Sequence, residues 1–188
     1  MISKLAARAF VTTLVGGMVL SVADRAAVAA KVPVEVPGSV WETLGLIKLT
    51  GGGASGAVEG LALIAFGPSE QLELAADEFD MLLLDSPETG IEVFGTYALQ
   101  KPGKPVITSI DLAALEDDIY FWLDVENQLP GVVMDVLTAS LKVKPKATND
   151  GEEAKVQFKT KLQFCGDRCI KANLSYKGEG PRTELTPP

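Results

Sequence analysis

One stretch of the chain decides its fold: residues 154–177, which read AKVQFKTKLQFCGDRCIKANLSYK. Apolar side chains alternate with lysine and glutamine from Val156 to Phe164, and the alternation resumes from Ile170 to Tyr176 after a short turn. A period of two is typical of a β-strand with one buried face. The stretch therefore predicts a β-hairpin, beside which the other strands of the chain assemble.

Two cysteines, Cys165 and Cys169, lie at the neck of this hairpin. Facing positions on paired strands can suit a disulfide, so we predict a bond between Cys165 and Cys169. A redox site and a zinc site are weaker alternatives, because the spacing is CxxxC, no helix N-terminus follows, and the chain has no histidine. A disulfide also favours an oxidising compartment.

The beginning of the chain is typical of an export signal. Lys4 and Arg8 precede the apolar run 9–22, and small residues at 27–30 supply a cleavage site. We therefore predict a signal peptide over residues 1–30 and a periplasmic or secreted product. An uncleaved membrane anchor is the alternative, although the apolar run is shorter than the roughly 20 residues that a membrane-spanning helix needs.

The remaining chain is long enough for one domain with a core, and 47% of all residues are apolar. Short apolar runs separated by glycine, proline and acidic turns predict strands. These runs are 39–50, 58–66, 71–75, 78–84, 91–99, 106–110 and 132–143. With the hairpin, they predict a mainly β fold: an antiparallel up-and-down barrel or strongly curved sheet of about eight strands with one amphipathic helix. We place an extended lead-in at 31–38, the barrel domain at 39–178 and a disordered tail at 179–188.

The predicted helix covers residues 111–128. Its apolar residues recur at helical spacing, Asp111 or Ser109 can cap its first turn, and a proline and a glycine follow its end. The aromatic residues at 120–122 either pack in the core or form a lid over an apolar ligand. Three consecutive carboxylates at 116–118 cannot all face one way on a helix, so they do not indicate a catalytic pair.

No motif in the sequence indicates catalysis, a cofactor or a metal. The glycine-rich loop 51–56 is followed by another strand-like run and carries no basic residue, so it predicts a hairpin turn rather than a phosphate site. The acidic cluster within 77–85 lacks the calcium-loop pattern. The sequence also lacks histidine and a Gly-x-Ser-x-Gly motif, so we predict a protein that is not an enzyme.

Charge is unevenly distributed along a chain whose formal net charge is −8. Residues 35–135 contain 3 basic and 18 acidic side chains, whereas residues 141–177 contain 9 basic and 4 acidic. The net charge disfavours nucleic acid as a partner. The basic face formed by 141–177 is a candidate surface for a protein partner, and ordinary solubilising lysines are the alternative.

A family resemblance is carried by two short motifs and their order. Gly38-Ser39-Val40-Trp41 opens the first strand, and Gly95-Thr96-Tyr97 precedes a lysine turn, the helix and lysine-rich closing strands. This outline resembles the lipocalin or calycin family of small barrels, including uncharacterised exported bacterial lipocalin-like proteins. The family's late arginine corresponds to Arg182 if the last strand extends that far.

The resemblance implies a binding protein for an apolar small molecule or lipid in the barrel mouth. The candidate ligand contacts are Trp41, Phe66, Tyr120, Trp122, Phe158 and Phe164. The alternative is a structural or accessory subunit whose barrel is filled with side chains and which docks on another exported or membrane protein complex. The inward-facing positions include both bulky and small residues, so both functions stay open at this point.

Overall fold

A computed structural model of the protein describes residues 33–86 and 89–184. The predicted signal peptide, residues 1–30, lies outside the described residues, and so does the end of the predicted tail from 185 onward. The strands are β1 (Val40–Gly51), β2 (Ala54–Phe66), β3 (Glu78–Leu84), β4 (Gly90–Lys101), β5 (Lys104–Ile110), β6 (Val133–Thr148), β7 (Gly151–Cys165) and β8 (Cys169–Thr183). The helices are α1 (Leu112–Trp122) and α2 (Val125–Gln128).

All eight strands belong to one antiparallel sheet with the order β5-β4-β3-β2-β1-β8-β7-β6. Sequential strands are paired with each other except β5 and β6, and the first strand, β1, is paired with the last, β8. The sheet curls into a nearly closed barrel in which β5 and β6 are the two edge strands. The predicted fold class is therefore confirmed.

The hairpin turns follow the local sequence closely. Gly52 and Gly53 form the two-residue turn between β1 and β2, and both have positive φ angles, 56° and 84°. Such turns need positive φ at both central residues, which glycine adopts at little cost. The glycine-rich loop is thus a hairpin turn, as predicted.

The helical segment is interrupted, in contrast to the single predicted helix 111–128. Asp111 caps α1, with its carboxylate accepting hydrogen bonds from the N–H groups of Ala113 and Ala114 at 3.1 Å. Asp124 has a left-handed backbone with φ 50°, and this residue separates α1 from α2. A left-handed residue cannot continue a right-handed helix, so the amphipathic pattern runs through a break that periodicity does not reveal.

Two further predictions are corrected. Residues 71–75 form a turn with a single bridge between Ser69 and Leu74, not a strand. The last strand continues to Thr183, so residues 179–183 belong to the sheet and not to a disordered tail. Their pairing with β1 and β7 supplies the long-range hydrogen bonds that local pattern could not predict.

The barrel interior is filled by one contiguous cluster of buried side chains from the strands and α1. The largest of them, each less than 2% exposed, are Trp41, Tyr176, Phe66, Phe79 and Phe158. The lead-in adds Val34 and Val36, which are also buried in this cluster. Close packing of this kind holds the strands in one arrangement.

A buried hydroxyl network links three neighbouring strands inside the barrel. The Tyr176 hydroxyl donates to the Thr43 carbonyl oxygen at 2.7 Å and lies 2.9 Å from Thr43 Oγ1, which donates to the Ala62 carbonyl oxygen at 3.3 Å. A Cβ atom at Gly178 would collide with the Tyr176 hydroxyl, so glycine makes room for the phenol. Burial raises the pKa of Tyr176 above its ordinary value of 10.0, and the phenol stays neutral.

We expect Tyr176→Phe to lower the free energy of unfolding by about 1–2 kcal/mol, because the Thr43 carbonyl loses a donor in a dry environment. Chemical denaturation followed by circular dichroism measures the change. Tyr120→Phe is the matched control, since Tyr120 is half-buried and its hydroxyl makes no hydrogen bond within the described residues. Equal stability of Tyr176→Phe and the wild type would contradict a structural role for the network.

Candidate functional site

The candidate site lies along the seam of the barrel, where β5 and β6 face each other. These strands are the edges of the sheet and are not hydrogen-bonded to each other within the described residues. Ile110, the last residue of β5, is paired with Gly95 near the middle of β4, so β5 borders only part of the seam. The seam therefore has two parts, one that β5 does not border and one that it does.

The first part is occupied by α1. Glu116 accepts a hydrogen bond from the N–H of Val136 on β6 at 2.7 Å, and Asp118 accepts one from the N–H of Glu92 on β4 at 2.6 Å. Leu115 and Ile119, on the same helix, are completely buried. The helix thus bridges the two sides of the barrel through backbone groups that the strand ladder leaves unpaired.

We expect Glu116→Ala to lower the free energy of unfolding by about 1–3 kcal/mol, because Val136 loses a charged hydrogen-bond acceptor. Asp117→Ala is the control, since Asp117 is the exposed neighbour between the two bonded carboxylates. Hydrogen exchange at the Val136 amide provides a local readout, and exchange should accelerate only in Glu116→Ala. Unchanged protection of Val136 in Glu116→Ala would show that the carboxylate does not hold the seam.

The second part of the seam is an open groove of about 1190 Å³. We call it the seam groove; it lies between residues 103–112 on the β5 side and 137–145 on the β6 side. Its apolar lining residues are Pro105, Val106, Ile107, Ile110, Leu112, Leu137, Ala139, Leu141, Val143 and Pro145. Three lysines also line it: Lys104, Lys142 and Lys144. The groove therefore combines an apolar surface with positive charge.

The edges of the seam groove are poorly suited to pairing with another strand. Pro105 on β5 and Pro145 on β6 have no N–H group to donate. Lysines, here Lys142 and Lys144, are a common feature of strand edges that avoid pairing. The geometry therefore favours an occupant that does not need a full backbone ladder.

The aromatic residues predicted to contact a ligand lie away from this groove. Phe164 is 7% exposed, and the half-buried Tyr120 and Trp122 belong to α1 and pack against the core. The other three, Trp41, Phe66 and Phe158, are fully buried. None of the six lines the seam groove. Their assignment as ligand contacts stays a prediction, and their observed surroundings are those of core residues.

Trp41 and Arg182 are brought together by the length of β8. The Arg182 guanidinium lies over the Trp41 ring at 6.0 Å from its centre, a distance at which a cation is attracted by an aromatic face. Arg182 also bonds the carboxylate of Glu152 at 2.7 Å, and the Trp41 indole donates to Ser39 Oγ at 2.8 Å. These contacts tie the start of β1 to the end of β8.

The lysines of the basic face, residues 141–177, lie mainly on exposed positions of β6, β7 and β8. Lys146 pairs with Glu153 at 2.9 Å and Lys155 pairs with Glu179 at 2.8 Å. Exposed pairs of this kind contribute little to stability. Association of a protein partner with this face stays a prediction.

Cys165 and Cys169 are joined by a disulfide, with Cα atoms 4.1 Å apart. They are directly paired residues of β7 and β8, as the sequence predicted. The bond is consistent with an oxidising extracellular or periplasmic location.

One carboxyl group, on Asp80, has a strongly perturbed titration. Burial on β3, and secondarily the nearby charge of Glu92, raise the pKa of Asp80 from 3.8 to about 6. Its Oδ1 atom is buried and has no hydrogen-bond partner within the described residues. Because the folded state holds the proton more tightly than the unfolded state, this group makes the fold less stable as pH rises from about 4 to about 6.

We expect Asp80→Asn to raise the free energy of unfolding by about 1 kcal/mol at about pH 8, after allowance for solvent screening of a half-exposed group. At about pH 3, below both pKa values, the aspartate is mostly protonated in both states, so the variant and the wild type should then be nearly equally stable. Denaturation curves at the two pH values measure this difference. A constant effect of the substitution across the pH range would contradict the titration of Asp80.

Within residues 33–86 and 89–184 there is no group of three or more aspartate, glutamate, cysteine or histidine side chains that could hold a metal. In the same part of the chain, no helix has the length and apolar character to cross a membrane. Comparison of the chain with protein-family models, curated proteins and solved structures finds no match. Function is therefore inferred from the geometry of the site.

Sequence patterns located the strands of the seam groove but not the groove itself. The runs 106–110 and 132–143 were predicted as strands, yet periodicity does not say which strands remain unpaired. The residue types could have identified these two strands as sheet edges, because proline, here Pro105 and Pro145, and the alternating lysines of β6 are typical of edge strands.

Proposed function

We propose that this protein is an exported, non-enzymatic binding protein that holds a fatty acid or a similar amphiphile in the seam groove. The observation that carries the proposal is an open apolar groove with lysines beside it, next to a barrel interior already occupied by packed side chains. Ligand sites in proteins are typically apolar concavities with a few polar groups that fix orientation.

An acyl chain suits the apolar part of the groove. Val106 and Leu137 are 42% and 40% exposed, so apolar area remains available for contact on both sides of the seam. Leu141 and Val143, which face the core, supply the floor. Removing this area from water favours binding by about 25 cal/mol per Å² of apolar surface.

A negatively charged headgroup suits the lysines. Lys142 and Lys144 are exposed and line the groove together with Lys104. Neither Lys142 nor Lys144 forms a salt bridge with the described residues, so both ammonium groups can meet a carboxylate. The overall charge of the protein is negative, so an anion is repelled by most of the surface and attracted by these lysines.

Two further observations support the proposal. The predicted export signal and the Cys165–Cys169 disulfide favour a periplasmic or secreted protein. Trp41, which belongs to a motif that carries the resemblance to lipocalins, contacts Arg182, the candidate for the family's late arginine, in an antiparallel eight-stranded barrel. The resemblance implies an apolar ligand, and the seam groove offers a place for it outside the filled interior.

We expect oleate to bind the wild type, and Leu137→Gln to weaken binding about tenfold, since the loss of one apolar contact is worth about 1.4 kcal/mol. Displacement of a fluorescent fatty acid measures the affinity. Leu129→Gln is the matched control, because Leu129 is 43% exposed and does not line the groove. The combined variant Lys142→Ala and Lys144→Ala should weaken oleate several-fold and leave oleyl alcohol unchanged.

Loss of affinity that is equal in Leu137→Gln and Leu129→Gln would place the ligand elsewhere. Absence of oleate binding to the wild type, together with no thermal shift across a panel of acyl lipids, would overturn the proposed function.

A further inference from the structure

A second apolar surface lies on the outside of the barrel, across β1, β2 and β3. It consists of six leucines, which we call the leucine face: Leu44, Leu46, Leu61, Leu63, Leu82 and Leu84. Leu44 is 69% exposed, Leu46 44% and Leu82 37%, whereas the alternate residues of the same strands are buried in the core. These strands are thus apolar on both faces, although only one face is covered.

The strand register makes the leucine face continuous. Leu44 is paired with Leu61, which is paired with Leu84, so the three form one row across the sheet. Leu63 is paired with Leu82 in the next row. Part of this surface forms a groove of about 890 Å³, lined by leucines of all three strands. Contiguous exposed apolar patches of this kind mark interaction sites on soluble proteins.

The chain itself covers the row of outer residues next to the leucine face. Val40, Ala65 and Phe94 lie on the same outer face, and Leu74 from the turn between β2 and β3 packs against them. The rows that contain the leucine face have no such cover within the described residues. The apolar outer surface therefore extends beyond the part that Leu74 covers, and the uncovered part is the leucine face.

Four carboxylates border the leucine face on sides other than that of β8. Glu42 is paired with Leu63, Glu59 with Leu46, and Glu92 with Leu82, and Asp85 lines the groove. We call these four carboxylates the acidic rim. Positive charge borders the face on its β8 side, where Lys177 is paired with Leu46. A shallow pocket beside Leu44 is also lined by lysines of β6 and β7: Lys142, Lys144 and Lys155. A matching surface would be apolar in its centre and basic at its edge.

We propose that the leucine face docks a protein partner through a segment that presents leucine-like side chains flanked by lysine or arginine. The apolar contact supplies affinity, and attraction between the basic flanks and the acidic rim supplies orientation and speeds association. The site is separate from the seam groove, so the proposal does not depend on the ligand of that groove.

A second copy of this chain fits the face poorly. Two leucine faces in a symmetric dimer would bring two acidic rims together, and like charges across an interface are unfavourable. The basic face of another copy offers lysines, but its outer positions on β7 from Lys155 to Gln163 are lysine and glutamine and supply no apolar match. Charge complementarity therefore favours a different protein.

A synthetic amphipathic peptide of leucine and lysine is the probe, and the same peptide with glutamate in place of lysine is its control. We expect the leucine–lysine peptide to bind the wild type and Leu44→Gln to weaken it about tenfold. Leu44→Gln should fold, because the side chain is 69% exposed. Leu129→Gln is the control, because Leu129 is 43% exposed and lies outside the leucine face. Glu59→Gln should weaken binding and reduce its salt dependence. Fluorescence anisotropy measures the affinity of each labelled peptide for the wild type and the three variants.

Oleate affinity provides an internal check, since Leu44→Gln should leave it unchanged while Leu137→Gln leaves peptide affinity unchanged. Equal binding of the two peptides, or equal affinity of Leu44→Gln and the wild type for the leucine–lysine peptide, would overturn the proposal. Two other results would also overturn the proposal. Self-association that Leu44→Gln abolishes would assign the face to a second copy of the chain. Binding to phosphatidylcholine vesicles that depends on Leu44, without peptide binding, would assign it to a lipid surface.

Discussion

Backbone groups at the open edges of a sheet need hydrogen-bond partners, and in this protein two helix carboxylates supply them at the seam. Glu116 accepts from the N–H of Val136, and Asp118 accepts from the N–H of Glu92. Both carboxylates are on α1, whose apolar residues Leu115 and Ile119 enter the core. The helix therefore fixes the separation of the two sides of the barrel where no strand pairing does, and the same separation leaves the seam groove open further along.

The interior and the surfaces of the barrel have different roles as a consequence. Large aromatic side chains fill the interior, and glycine at position 178 makes room for the Tyr176 hydroxyl network. The space available to partners lies outside that core, in two apolar surfaces with opposite charges beside them. Lysines adjoin the seam groove, and carboxylates border the leucine face on sides other than that of β8. The charges beside the two surfaces would thus help to discriminate between the proposed anionic amphiphile and the proposed basic protein segment.

The sequence predicted much of the fold because most of its strands bury one face. The alternation around Phe158 and Leu174 predicted β7 and β8, and the hairpin turns followed from glycine and proline. Three features could not be predicted from the sequence, for physical reasons. The break at Asp124 depends on the backbone conformation of one residue, and residues 179–183 form a strand only because they pair with distant residues. The unpaired seam is a property of the whole sheet topology. The leucine face had a usable signal, since consecutive apolar residues such as Met81 to Leu84 indicate a strand that is apolar on both faces.

Photo-crosslinking tests the central claim most directly, that the ligand lies in the seam and not within the barrel. A fatty acid with a diazirine near the end of its chain is bound to the protein and activated, and the labelled residues are mapped by mass spectrometry. The account predicts labels within 103–112 and 137–145, the residues of the seam groove. Labels on Trp41, Phe66 or Phe158, which are buried in the interior, would contradict it.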